Sequence, residues 1–90
     1  MHKIIITVVG KDTVGIIARV CTYLSENNIN VNDISQTIID GYFNMMMIVD
    51  MSASSGKLED IQKGLKAIGD DMGLVIQAQS EEIFNMMHRI

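Results

Sequence analysis

From Lys3 to Val9 the chain is apolar on both faces apart from Thr7, and the run stops at Gly10. Such a run predicts a central strand covered on two sides. The glycine predicts a tight exit, because it adopts backbone angles closed to other residues. Lys11-Asp12-Thr13 comes next, and then Val14, Ile17, Cys21 and Leu24 recur at spacings of three and four, the period of a helix with one buried face. Asp12 or Thr13 is expected to cap that helix by accepting from the free N–H groups one turn in. Gly15 falls in the first turn, where glycine costs about 1 kcal/mol against alanine. Either a ligand or backbone approaches closely there, or the residue serves helix–strand packing. On this helical reading a Val at position 15 would leave the chain folded.

Asn27-Asn28 predicts the helix stop. The next stretch, about Asn30 to Asp40, alternates poorly and carries Asn32, Asp33, Ser35, Gln36 and Thr37, as expected of a sheet edge. Asp40-Gly41 is a two-residue hairpin signal. Tyr42 to Met51 then separates by parity: Phe43, Met45, Met47, Val49 and Met51 form a core face. Tyr42, Asn44, Met46, Ile48 and Asp50 form a half-apolar face that something is expected to cover in part. After the small polar loop 52–56, Leu58, Ile61, Leu65, Ile68 and Met72 mark a second amphipathic helix, which Ser54 or Ser55 can cap and Gly73 closes. A last strand, Leu74 to Gln79, reads as the other edge. Ser80-Glu81-Glu82 opens a short helix with acids at its positive end, and His88-Arg89 closes it with bases at its negative end. Its Ile83, Met87 and Ile90 either cover the exposed half of the sheet or dock on a partner.

The order is β-α-β-β-α-β with a terminal helix, an α+β chain. Two split βαβ units with right-handed crossovers put the first and third strands in the middle, which gives a ferredoxin-like sandwich with both main helices on one face and a short C-terminal helix. Residues 1–90 are expected to form one domain, with a core over 3–80 and the terminal helix at about 81–89.

Composition narrows the function. A net charge of −4 and a pI near 4.8 argue against a sequence-independent nucleic-acid binder, which needs a basic face; a sheet that reads RNA would also need exposed aromatics. One Cys forms no intramolecular disulfide, and Cys21, on the apolar stripe, reads as a small buried hydrophobe. No apolar run approaches the ~20 residues of a membrane span, and no secretory leader is apparent, so a cytoplasmic location is expected. His2 and His88 belong to no ligand-spaced cluster, so no metal is expected. A core this small favours association, and a homodimer is expected. An acylphosphatase-like enzyme is a weaker alternative, because those enzymes use an Arg in the first turn where this chain has only Lys11; Asn44 reads as an ordinary polar strand residue.

The element Gly10-x-Asp12-x-x-Gly15-Ile16, with Val20, Leu24, Asn30-Val31, Asp33 and Gln36 after it, resembles the signature of ACT domains, the small-molecule-sensing modules of amino-acid metabolism. The resemblance covers about positions 3–80. It is closest to the ACT modules of formyltetrahydrofolate deformylases and glycine-cleavage regulators and to short stand-alone ACT proteins. It implies a non-enzymatic regulatory homodimer without a cofactor, binding an amino acid or similar small molecule at a subunit interface. A regulated enzyme or regulator would be its protein partner; a ligand-free interaction module is the alternative. Carried over by position, the turn supplies Asp12, Val14, Gly15 and Ile16, flanked by Gly10 and Lys11, and the second strand supplies Asn30 and Asn32. N–H groups around Val14 to Ile16 suit a carboxylate, and Asp12 with the Asn side-chain oxygens suits an ammonium. Some serine-sensing members carry a His at the position of Gly10, and this chain does not.

Overall fold

In the computed structural model, which describes residues 3–87, the elements are β1 (Lys3–Lys11), α1 (Ile16–Glu26), β2 (Asn30–Ile39), β3 (Tyr42–Asp50), α2 (Leu58–Met72), β4 (Leu74–Ser80) and α3 (Glu81–Met87). They build one antiparallel sheet in the order β2-β3-β1-β4. The apolar β1 and β3 hold the centre and the polar β2 an edge, as the ranking of apolarity predicts. Asp40 and Gly41 turn the β2–β3 hairpin with φ of 53° and 83°, the two left-handed positions of a type I′ turn. Helices α1 and α2 cover one face over a core that includes Ile6, Val8, Val20, Leu24, Met47, Val49, Ile61 and Leu65.

Gly10 does not end β1. It lies within the strand, opposite Phe43 on one side and Leu74 on the other. A Cβ there would stand 2.6 Å from Leu74 Cδ2 and 3.1 Å from the Gly73 carbonyl oxygen. The glycine therefore admits the α2–β4 junction at close range, and the strand continues to Lys11.

The first helix also differs from its expected phase. The buried residues are Ile16, Val20 and Leu24, whereas Val14 is 97% exposed, Ile17 is 37% exposed and Cys21 is only half-buried. Gly15 is the N-cap, at φ +89°, not a residue of the first turn. A left-handed residue resets the chain direction, so Val14 lies outside the helix and its spacing to Ile17 carries no phase information. That φ also overturns the expected tolerance of Val at position 15, since a β-branched residue is strained there. At α2 the N-cap is Lys57, without a side-chain bond, so neither Ser54 nor Ser55 caps it; Ser54 Oγ instead accepts from the Gly56 N–H at 3.2 Å. Ile61, Leu65 and Ile68 are buried as predicted, while Leu58 and Met72 are partly so.

Tyr23 of α1 lies over Gly64 of α2, where an added Cβ would overlap the phenol oxygen. Burial first, and then the negative charge of Asp60, raise the pKa of this phenol. Gly64→Ala is therefore expected to lower stability by about 1–3 kcal/mol through overpacking, although alanine is the better helix former. A raised urea midpoint would show that the ring swings aside without cost.

The face of the sheet opposite α1 and α2 is covered only at one end. Ile5, which points to that side, is 5% exposed. Gln79, on the same side, donates from Nε2 to Met87 Sδ at 3.3 Å, which places α3 over the β1–β4 end. Ser80 Oγ accepts from the Ile83 N–H at 3.2 Å and begins α3. The helix thus covers part of its own sheet, yet Ile83 and Met87 remain 51% and 63% exposed. His2, His88, Arg89 and Ile90 lie outside the described residues.

Candidate functional site

The β1–α1 turn takes its form from the conformation of Gly15. The first intrahelical bond runs from the Arg19 N–H to the Gly15 carbonyl at 2.9 Å, so the N–H groups of Ile16, Ile17 and Ala18 precede any helical acceptor. No side chain caps them; Asp12 and Thr13, expected as caps, do not take that role. The Asp12 N–H instead donates to the Gly41 carbonyl at 2.9 Å, which ties the turn to the β2–β3 hairpin.

Beside this helix start lies an open cleft of about 330 Å³ whose walls include Asp12, Gly15, Ala18, Gln36, Ile38 and Phe43. Free N–H groups and the helix dipole favour a carboxylate at the α1 end. The Asp12 carboxylate and the Gln36 amide oxygen are acceptors suited to an ammonium. Ile38 and Phe43 give the cleft an apolar wall. A small zwitterion matches that distribution.

Of the residues singled out in the sequence, Asp12, Gly15 and Ile16 meet in the cleft. Ile16 is buried, so only its backbone is available. Val14 projects into solvent, Lys11 pairs with Tyr42 at the end of β1, and Gly10 is enclosed by the sheet. Asn30 and Asn32 bond to each other, Nδ2 to Oδ1 at 2.9 Å, beside a register shift between Val31 and Asp33. They sit at the far end of β2, with Asn30 roughly 20 Å and Asn32 roughly 13 Å from Gln36 by strand rise. One chain therefore does not bring them to the turn.

Sequence reasoning missed the wall that β2 and β3 supply. Thr13, Ile17 and Ala18 simply extend the turn. Gln36, Ile38 and Phe43 were within reach, because a two-residue hairpin at Asp40-Gly41 fixes Ile39 opposite Tyr42 and Ile38 opposite Phe43.

Two other depressions are larger. One of about 450 Å³ runs along the α2–β4 edge, and one of about 520 Å³ lies between α1 and α2. In the first, Gln62 Nε2 donates to the Ala78 carbonyl at 2.6 Å; in the second, Arg19 is paired with Asp71 at 2.9 Å. Gln62 and Arg19 are thus turned onto the protein itself, whereas the smaller cleft at the turn adjoins a helix start that no side chain caps. Among the described residues no group of three metal-ligating side chains occurs, and no helix is long and apolar enough to cross a membrane.

Comparison with known proteins agrees with the fold. The chain matches the ACT domain family model over residues 2–79. It is 64% identical to a UPF0237 protein of Bifidobacterium longum over the full length of both chains. A solved ACT domain protein from Streptococcus pneumoniae is 41% identical, with a TM-score of 0.81 over 92% of this chain and 93% of that one. A formyltetrahydrofolate deformylase from Pseudomonas syringae superposes with a TM-score of 0.82 over 89% of this chain and 28% of its own, at 18% identity. That last likeness concerns the fold alone.

Proposed function

Because the chain belongs to the ACT-domain family, a family of small non-catalytic regulatory modules, we propose that it is an amino-acid sensor whose site is shared between two copies. The observation that carries this reading is the division of the site residues along β2. The cleft at the turn opens onto the Gln36–Ile38 half, while Asn30 and Asn32 occupy the opposite end. Every residue of β2 is exposed, and its outer edge pairs with no strand among the described residues. Antiparallel pairing of β2 with β2 of a second copy, centred near Asp33 and Ile34, lays Asn30 of one copy beside Gln36 to Ile38 of the other. The turn then holds the carboxylate, and Asp12, Gln36 and the second copy's Asn side chains surround the ammonium. Ligand binding tightens the pairing, and a regulated enzyme or regulator in the cytoplasm reads that change.

Thermal-shift measurements against the twenty standard amino acids test this function. An amino acid at 100 times its Kd stabilises by about 2.7 kcal/mol, and a domain of this size gains roughly 4–8 °C per kcal/mol. One or a few amino acids are expected to raise Tm by about 10 °C or more. If none does so while light scattering shows two or more associated copies, the protein is a ligand-free interaction module.

A further inference from the structure

The open face of the sheet has two unlike halves. At the β1–β4 end near Ile5 it is raised by α3, whose outer surface shows Ile83, Met86 and Met87 at 51%, 68% and 63% exposure. At the other end it is bare. There Val9 and Val75 are paired neighbours on β1 and β4, and with Met46, Tyr42 and Ile39 they are between 42% and 62% exposed. Apolar residues of all four strands thus meet on one open face, interspersed with Thr7, Asn44 and Gln77, and an exposed apolar cluster rimmed by polar residues marks an interaction surface.

We propose that this face is a two-fold contact between copies of the chain, in which α3 of each copy packs on the bare half of the other. A two-fold axis in the plane between the sheets, perpendicular to the strands, produces that match. It places the Lys3 end of β1 in one copy over the Lys11 end in the other. The raised half then meets the recessed half twice, as an isologous contact requires. Ile83, Met86 and Met87 lie against Val9 and Val75, and Met46 faces its own equivalent near the axis.

Charge obeys the same arrangement. Helix α3 starts at the end of β4, where Ser80 pairs with Ile4. The two-fold carries Glu81 and Glu82 of one copy to the end of β1 that holds Lys11 in the other. Lys11, Glu81 and Glu82 form no ion pair with another described residue, so all three are free to pair across the contact. Size is also adequate. Four strands of about nine residues present roughly 19 by 30 Å of sheet, or ~570 Å² in projection, against ~800 Å² of accessible surface per partner in a standard interface. Accessible area exceeds projected area, and α3 adds its own flanks. The contact does not involve the β2 edge, so it is independent of the pairing that forms the ligand site and stacks two such pairs into a four-chain assembly.

Light scattering coupled to size exclusion tests the contact with one variant in each half, Val75→Asp and Met86→Asp. Both residues are exposed in the single chain, so circular dichroism is expected to show unchanged folding. The expected result is that each variant alone halves the molar mass of the wild type, because either buries a carboxylate in the contact twice. Retention of the wild-type mass by either variant would overturn the proposal. Thermal shifts with amino acids do not enter this readout, so a missing ligand and a missing contact are told apart.

Discussion

Leu65→Ala is expected to lower the unfolding free energy by about 2–5 kcal/mol, the range for removing a large aliphatic side chain from a packed core. Leu65 is at 0% exposure and belongs to the cluster that joins α2 to the sheet. Its neighbours on the stripe, Ile61 and Ile68, are buried too, so the surrounding backbone is held on both sides and collapses poorly onto a cavity. A small domain has about 5–15 kcal/mol in all, so the variant will be close to the limit of folding. Urea unfolding measures the effect. A loss under about 1 kcal/mol, far below the usual cost, would mean that the site relaxes fully or that α2 presents another face to the sheet.

Ala18→Glu is expected to remove amino-acid binding while leaving the protein as stable as the wild type or more so. Position 18 is the third residue of α1, three beyond the Gly15 cap, and is exposed. A glutamate at this place reaches back to the N–H groups at the helix start and interacts well with the positive end of the dipole. It therefore supplies the carboxylate that the ligand would supply. Losing hydrogen bonds to a charged group, at about 1.5–3 kcal/mol, corresponds to roughly a 10- to 100-fold weaker Kd. Calorimetry with the amino acid that gives the largest thermal shift is the measurement. Unchanged affinity would place the site elsewhere. This substitution replaces any test at Gly15, where φ +89° strains a side chain and would mix a folding effect into the readout.

Much of the fold was legible because long periodic segments carry redundant signals. β3 alternates cleanly over nine residues, and its parity alone identified Phe43, Met45, Met47 and Val49 as core. The hairpin was fixed by Asp40-Gly41, and α2 by its stripe. The failures share one physical origin, short stretches in which a glycine can act in several ways. Gly10 is as compatible with a strand exit as with a residue that lets Leu74 approach, and only the neighbouring chain decides. Gly15 can sit in a helix or cap it from the left-handed region, and the choice shifted the phase over the first turns of the helix, while Leu24 stays on the buried stripe as expected. With the phase went the reading of Val14, Ile17 and Cys21. The candidate site was half legible for a related reason. Local sequence named the turn, but the wall from Gln36, Ile38 and Phe43 depends on sheet register, and the distance of Asn30 from the turn appears only in three dimensions. Nothing local to residues 81–87 tells that α3 returns over its own sheet; that depends on Gln79 and Ile5, which lie on the same face.

The claim that one ligand site is built from two copies is tested most directly by mixing two inactive chains. Ala18→Glu disables the turn, and Asn30→Ala disables the side chain that the second copy is to contribute. Each variant alone is expected to bind the amino acid weakly or not at all. When the two are denatured together and refolded, half of the pairs formed at random contain one chain of each kind. In such a pair one site has both defects, and the other has an intact turn and an intact Asn30. Calorimetry of the mixture is therefore expected to recover wild-type affinity at about one site per four chains, the statistical fraction for random pairing of two chains across an isologous contact. Recovery of no wild-type sites, with each variant binding in the mixture as it does alone, would contradict a shared site and assign the ligand to a single chain.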